Sequence, residues 1–218
     1  MTIQSTLRAL DDRAKCFDLL EPLTAATAAD MYSRGFVAVG RYLENLSLGE
    51  VSVILGAGLG LEPISMCAAP GWAVHGASAG QLKGVGMVAR ARSLGLPAGL
   101  PLCIDWETPA TNTDPTVAAQ WIEAAAAELV IGGYAAALYW GACPILSGVQ
   151  AWAIPSVTLY YKSASVVPKI PCGYVLVQTA LEQRVGSLTV DLDVAQADEH
   201  DPPRRMTALF AGSSQDVS

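Results

Sequence analysis

LPLCIDWETPATNTDPTVAAQWIEAAAAELVIGGYAAALYW, residues 100–140, is the stretch on which the fold turns. Residues 100–104 are apolar and read as a strand that runs into two acids, Asp105 and Glu107. Asp114 has the chemistry of a helix N-cap, and Pro115 suits the first helical position. The Ala-rich run that follows continues to about Val130, and Gly132-Gly133 ends it. Residues 135–140 then read as a second strand. Strand, helix and strand in this order, with strands apolar on both faces, point to parallel strands buried beneath helices.

The same alternation extends outward in both directions. Upstream, residues 16–20 form a short apolar run. A helical stretch opens at Pro22-Leu23-Thr24, runs to about Arg34 and is stopped by Gly35. Residues 36–42 read as a strand. Ser47, with Glu50 three residues on, has the spacing of a capping box for the next helix. Residues 60–66 read as another strand, and an Ala/Gly-rich helix follows from about Ala79 to Leu94. Downstream, residues 157–162, 174–178 and 188–194 are strand candidates. Residues 163–173 read as a loop and 179–187 as a loop or hairpin. About eight β-runs in 218 residues favour one closed (β/α)8 TIM-type barrel of the α/β class, with its last helices reduced. The expected organisation is an N-terminal polar or helical extension over 1–15, the barrel over 16–197 and a polar tail over 198–218.

Composition narrows the function. The apolar fraction is 52%, the charged fraction 15% and the formal net charge −7. That supports a large core and argues against nucleic-acid binding, which needs clustered Lys and Arg. The five cysteines, Cys16, Cys67, Cys103, Cys143 and Cys172, are dispersed and lack metal-motif spacing. Four of them lie in apolar runs, as small hydrophobes do. No metal or other cofactor is expected, and a reducing compartment is the default. No stretch reads as a signal peptide or reaches the ~20 apolar residues that span a bilayer. The expected location is therefore cytoplasmic at synthesis, or a phage particle, or release by lysis or non-classical export.

Chemistry concentrates in the acids. On a strand, residues i and i+2 share a face, so Asp105 and Glu107 project into one space with Cα atoms roughly 6–7 Å apart. Two carboxyls in one space titrate apart, which suits general acid catalysis and glycoside hydrolysis. Asp18 in the first strand and Asp191 and Asp193 in the last fall where barrel chemistry sits. The plainer reading makes Asp105 and Glu107 solvated acids at a strand end, and one of Asp191 and Asp193 a structural cap. Gly76-Ala77-Ser78-Ala79-Gly80 matches the G-x-S-x-G elbow of serine esterases, with Asp191 or Asp193 and His200 following in order. Its plainer reading is a Gly-rich loop entering a helix. Gly56, Gly58 and Gly60 do not complete a nucleotide loop and read as a helix end and strand start. Trp121 and the Ala run 124–127 read as packing, the latter of helix on barrel.

Phe17-Asp18, Gly35 to Tyr42, Ile104-Asp105-Trp106-Glu107, Val177-Gln178 and Val190-Asp191-Leu192-Asp193, in this order, resemble the glycoside-hydrolase-like barrels of unknown function found in actinobacterial and phage proteins. Those are relatives of the family 25 lysozymes, and the resemblance spans about residues 16–195. It implies a muramidase-like site acting on N-acetylated glycan such as peptidoglycan. Glu107 would be the general acid. Asp105 would hold negative charge and orient the N-acetyl group or a water. Asp18 with Asp191 or Asp193 would complete an acidic ring, and Arg41, Tyr42, Tyr139, Trp140 and Gln178 would line the groove. The chain departs from the lysozyme pattern in having Val177 before Gln178, Glu62 as an extra acid and no wall-binding module. The alternative is a catalytically silent barrel serving as a structural or binding module in a phage particle or secreted assembly. The apolar composition favours such assembly, homo-oligomers included.

Overall fold

The computed structural model of the chain describes residues 4–66, 71–142 and 144–212. Cys67 and Cys143 lie outside the described residues, as do the extremities of the two terminal extensions. The elements in order are β1 (Ser5–Ala9), β2 (Lys15–Leu19), α1 (Ala25–Ser33), β3 (Phe36–Tyr42), α2 (Leu48–Gly56), β4 (Gly60–Met66), α3 (Gly76–Ser93) and β5 (Pro101–Trp106). Then come α4 (Pro115–Ile131), β6 (Ala135–Trp140), α5 (Gly148–Trp152), β7 (Leu159–Lys162), β8 (Leu176–Val185), β9 (Leu188–Ala195) and β10 (Thr207–Ala211).

The barrel consists of the eight strands β2 to β9, each hydrogen-bonded to the next, with β9 returning to β2. The strands from β2 to β8 run parallel, so a helix or long loop must carry the chain back each time. The helices are capped where the sequence offers oxygen acceptors. Thr24 and Thr27 bond reciprocally at α1, the Asp114 carboxylate accepts from Thr116 and Val117 at α4, and Ser147 with Gln150 closes a capping box at α5. Ser47 accepts from the Glu50 N–H, but the Glu50 carboxylate turns inward instead of completing the box.

Two features differ from the sequence expectation. First, the last strand is antiparallel to both its neighbours, β8 and β2. Of the loop and the hairpin expected over residues 179–187, the chain forms the hairpin: β8 continues to Val185, and a two-residue turn brings the chain back at Leu188. Gly186, at φ 59°, takes the first central position of that turn, which a residue with Cβ occupies only at a cost. Second, the termini are neither a helical extension nor only a polar tail. β1 and β10 pair antiparallel over five residues, and β10 adds to β4 through Leu209 and Leu61. The backbone of the apolar run Ala208-Leu209-Phe210 needs a strand partner, and Ser5–Ala9 supplies it.

Two cores result from strand alternation. Phe17, Val39, Leu61, Ile104 and Leu138 face outward against the helices. Cys16, Ala38, Ile64, Cys103 and Leu159 face inward and join Leu10, Met206, Ala208 and Phe210. The first residue of β4, Gly60, makes room for Phe210, whose ring would lie 2.6 Å from a Cβ there. The N-terminal end of the barrel is thus plugged, and the opposite end stays open. Helices α3 and α4 pack without spacing, since a Cβ on Gly80 would fall 2.0 Å from the Trp121 carbonyl oxygen and one on Gly84 2.5 Å from that of Ala125. Ala125 therefore serves helix-on-helix contact, not only the helix-on-barrel contact expected of its run. Cys16, Cys103 and Cys172 are buried. Among the described residues, no helix is long and apolar enough to cross a membrane.

Candidate active site

At the open, C-terminal end of the parallel strands lies a cavity of about 440 Å³. Its wall takes one or two side chains from nearly every strand: Asp18, Tyr42, Ile64, Asp105, Tyr139, Tyr161, Gln178 and Asp191, with Glu107 just past β5. Alternation explains the selection. Residues at every second position point into the barrel, and the last such residue of each strand reaches the mouth. Asp18 and Asp191 are direct partners across β2 and β9, while Cys16 faces Asp193 one step deeper.

The acids are wired through one tyrosine and one glutamine. The Tyr161 hydroxyl lies 2.9 Å from Asp18 Oδ2 and 2.6 Å from Asp193 Oδ1. One hydroxyl has one proton to donate, so one of these two carboxyls must itself carry a proton. The electrostatics agree. Burial first, then the charge of Asp191, lifts Asp18 to about 7. Burial first, then Asp18, pushes Asp193 well above the usual carboxylate range. Gln178 Oε1 accepts from the Tyr139 hydroxyl at 2.8 Å and the Ala164 N–H at 3.2 Å. Its Nε2 therefore donates, to Asp18 Oδ2 and Asp191 Oδ2, each at 3.1 Å.

Asp105 is buried, and its Oδ1 has no hydrogen-bond partner among the described residues. Burial, then Glu107 and Asp18, push it well above the normal range, against a weak opposing pull from Lys83. Glu107 is half-buried; burial and then Asp191 raise it, with the Tyr139 hydroxyl acting the other way. Its backbone is fixed, because the Trp72 indole donates to the Glu107 carbonyl at 3.0 Å. Trp72 in turn stacks edge-on against Trp106 and Trp121, with centroids 5.2 and 5.4 Å away. The Glu107 side chain lies over Gly141, where a Cβ would come within 2.3 Å of Glu107 Cγ. Asp191 is half-buried and accepts the Glu182 N–H at 2.7 Å.

Asp18, Asp105, Glu107, Asp191, Tyr42, Tyr139 and Gln178 thus line one cavity. Three expected site residues do not line it. Arg41 points outward from β3 beneath α2, where its Nε pairs with Glu50 Oε1 at 2.6 Å and its Nη1 donates to the Leu19 carbonyl. Trp140 belongs to the outer core, since Tyr139 before it already faces the lumen. Asp193 sits below the cavity floor and reaches it only through Tyr161. The esterase elbow does not form either. Ser78 is exposed in the first turn of α3, no strand among the described residues leads directly into it, and His200 lies beside Asp198 and Cys172. The sequence reading missed Tyr161, Ile64, Leu181, Glu182, and the two glycines that make room, Gly40 and Gly141. Tyr161 was accessible from alternation with Leu159. Glu182 was not, because it reaches the mouth through an irregular register of β8 and a positive φ of 52°.

The family model described as Rv2525c-like, glycoside hydrolase-like domain matches residues 29–197. No curated protein matches the sequence. An uncharacterized protein of B. stearothermophilus is 19% identical at a TM-score of 0.63, over 84% of this chain and 95% of its own. The Tat-secreted protein Rv2525c of Mycobacterium tuberculosis, solved with L-tartrate, is 15% identical at 0.62, over 84% and 95%. The bacterial lysozyme of Streptomyces coelicolor is 14% identical at 0.59, over 83% and 91%.

Proposed function

The chain belongs to the family of Rv2525c-like, glycoside hydrolase-like domains, and from that membership we propose that it cleaves an N-acetylated glycan of the peptidoglycan type with Glu107 as general acid. The observation that carries the reading is the meeting of Asp18, Asp105, Glu107 and Asp191 in one tyrosine-walled cavity at the barrel mouth. A general acid must hold its proton near the working pH, and partial burial beside other acids moves Glu107 in that direction. It would protonate the glycosidic oxygen. The resemblance assigns the negative charge to Asp105, but a buried carboxyl among acids is the worst place for charge. We assign it to Asp191: burial raises it, but it is less buried than Asp105 and its carboxylate accepts two N–H donors that favour the ionised form. Asp105 then acts as a neutral donor to the sugar. Tyr42 and Tyr139 offer ring faces and hydroxyls suited to a pyranose. Action outside the cytoplasm fits this substrate, as Rv2525c is Tat-secreted, and the buried thiols tolerate export.

The test is release of new reducing ends from peptidoglycan between pH 4 and 8. Glu107→Gln should lower the rate by about 10²–10⁴-fold with the melting temperature nearly unchanged. A fully active mutant removes the assignment. No release by the wild-type protein removes the enzyme reading for this substrate. The second reading, a silent barrel that binds glycan or assembly partners, is favoured by the burial of Asp105 and Asp193, which disfavours the carboxylate charge a base or nucleophile needs. It predicts binding of glycan fragments without cleavage.

A further inference from the structure

Away from the barrel mouth, three potential metal ligands from two segments meet beside the polypeptide that leads to β10. The thiol of Cys172, a carboxylate oxygen of Asp198 and a ring nitrogen of His200 all lie within 4.8 Å of one another. We propose that they form a binding site for a divalent transition metal of the zinc class, which staples the loop ahead of β8 to the C-terminal segment.

Four observations support it. The His200 Nε2 atom is buried and has no hydrogen-bond partner among the described residues, an arrangement that costs free energy unless something ligates it. Cys172 is buried, and its Sγ makes a long 3.7 Å contact to the Gly173 carbonyl and faces the Arg204 guanidinium, which favours the thiolate. Asp198 is held in place: its Oδ1 accepts the N–H groups of His200 at 3.1 Å and Arg204 at 2.7 Å, and its Oδ2 accepts from Arg204 Nε at 2.7 Å. Such outer hydrogen bonds orient a ligating carboxylate. Finally, the two segments are docked before any ion arrives, since the Glu199 N–H donates to the Cys172 carbonyl at 2.7 Å.

Donor chemistry selects the ion. Thiolate, imidazole and carboxylate together suit Zn²⁺ or Co²⁺ and not Mg²⁺ or Ca²⁺, which prefer oxygen alone. With metal–ligand bonds of about 2.0–2.3 Å, tetrahedral donors sit roughly 3.3–3.8 Å apart, so side-chain rotations of about 1 Å close the site. Binding expels the Cys172 thiol proton to solvent and leaves a fourth position for water. The Arg204 guanidinium stays on Asp198 as an outer partner. The sequence hid this site because its ligands fall in no compact motif.

The experiment is a Co²⁺ titration of the reduced, chelator-treated full chain. The expected result is a near-ultraviolet thiolate-to-metal band that saturates at one ion per chain, is displaced by Zn²⁺, and accompanies a higher melting temperature. Cys172→Ser should abolish the band. His200→Gln, at a partly exposed position that the fold does not depend on, should weaken Co²⁺ affinity at least tenfold. A folded wild-type chain with no band at millimolar Co²⁺ overturns the proposal. So does a band of unchanged affinity in both variants, which would place the ion on another cysteine.

Discussion

Glu62 shows what a single inward-facing acid does to this barrel. It is buried, its Oε1 has no partner among the described residues, and burial followed by the charge of Asp18 lifts it to about 8. The folded state therefore holds a proton that the unfolded chain releases near the ordinary carboxylate value. Stability from this group is complete below about pH 4.5 and is lost as pH climbs toward 8, and Asp18 acts in the same direction up to about 7. Melting temperature should fall between pH 5 and 8, and Glu62→Gln should flatten that fall and raise stability at pH 8, by at most about 4 kcal/mol. Parallel curves for the two proteins would contradict it. At this scale the sequence was half legible. Spacing alone paired Asp105 with Glu107, because i and i+2 share a face. The same rule shows why Arg41 with Tyr42, and Tyr139 with Trp140, could not both line the groove: neighbours on a strand point to opposite faces, and only the structure says which is inside.

Among the elements, α2 is seated by charge. Its mean exposure pattern leaves Glu50 buried, and that carboxylate binds Arg41 Nε and also accepts the Leu23 N–H at 2.9 Å. One ion pair thus joins β3, α2 and the entry to α1. A local reading of Ser47 and Glu50 finds a capping box, because the spacing is right; the tertiary demand of a buried guanidinium wins the carboxylate. Removing one partner leaves the other charged and dry. Glu50→Gln should cost about 3–5 kcal/mol, or ~6–20 °C in melting temperature at this chain length. Glycan cleavage per folded molecule should persist, since neither residue lines the cavity. A variant that keeps its stability but loses activity would return Arg41 to the groove. The long helices and parallel strands were legible because they obey their own periodicities. The β8–β9 hairpin was legible only as one of two options, because its polar residues Gln183-Arg184 mimic a loop while remaining in the ladder.

For the whole molecule, closure matters more than any one element. An eight-stranded barrel whose inner layer holds Cys16, Ala38 and Glu62 would admit water from below unless something covers that end. The chain covers it with its own termini. Phe210 from β10 enters over Gly60, and the Arg8 guanidinium of β1 stacks on the ring at 3.8 Å from its centroid. A dry floor is what raises Asp193 and Glu62 above the ordinary carboxylate range, so the terminal strands bear on the electrostatics of the mouth from the opposite end. Reading each terminus as a separate polar segment could not reveal this, since β1 and β10 gain their meaning only from each other, nearly the full chain apart. Phe210→Ala should therefore do two things at once. It should lower stability by about 3–5 kcal/mol, seen as a lower urea midpoint at unchanged slope. It should also let water in below, shifting the acid limb of glycan cleavage, where it is measured, toward lower pH as the buried carboxyls relax to ordinary values. A loss under about 1 kcal/mol would mean that the ring is not the plug and that closure comes from the strand pairing alone.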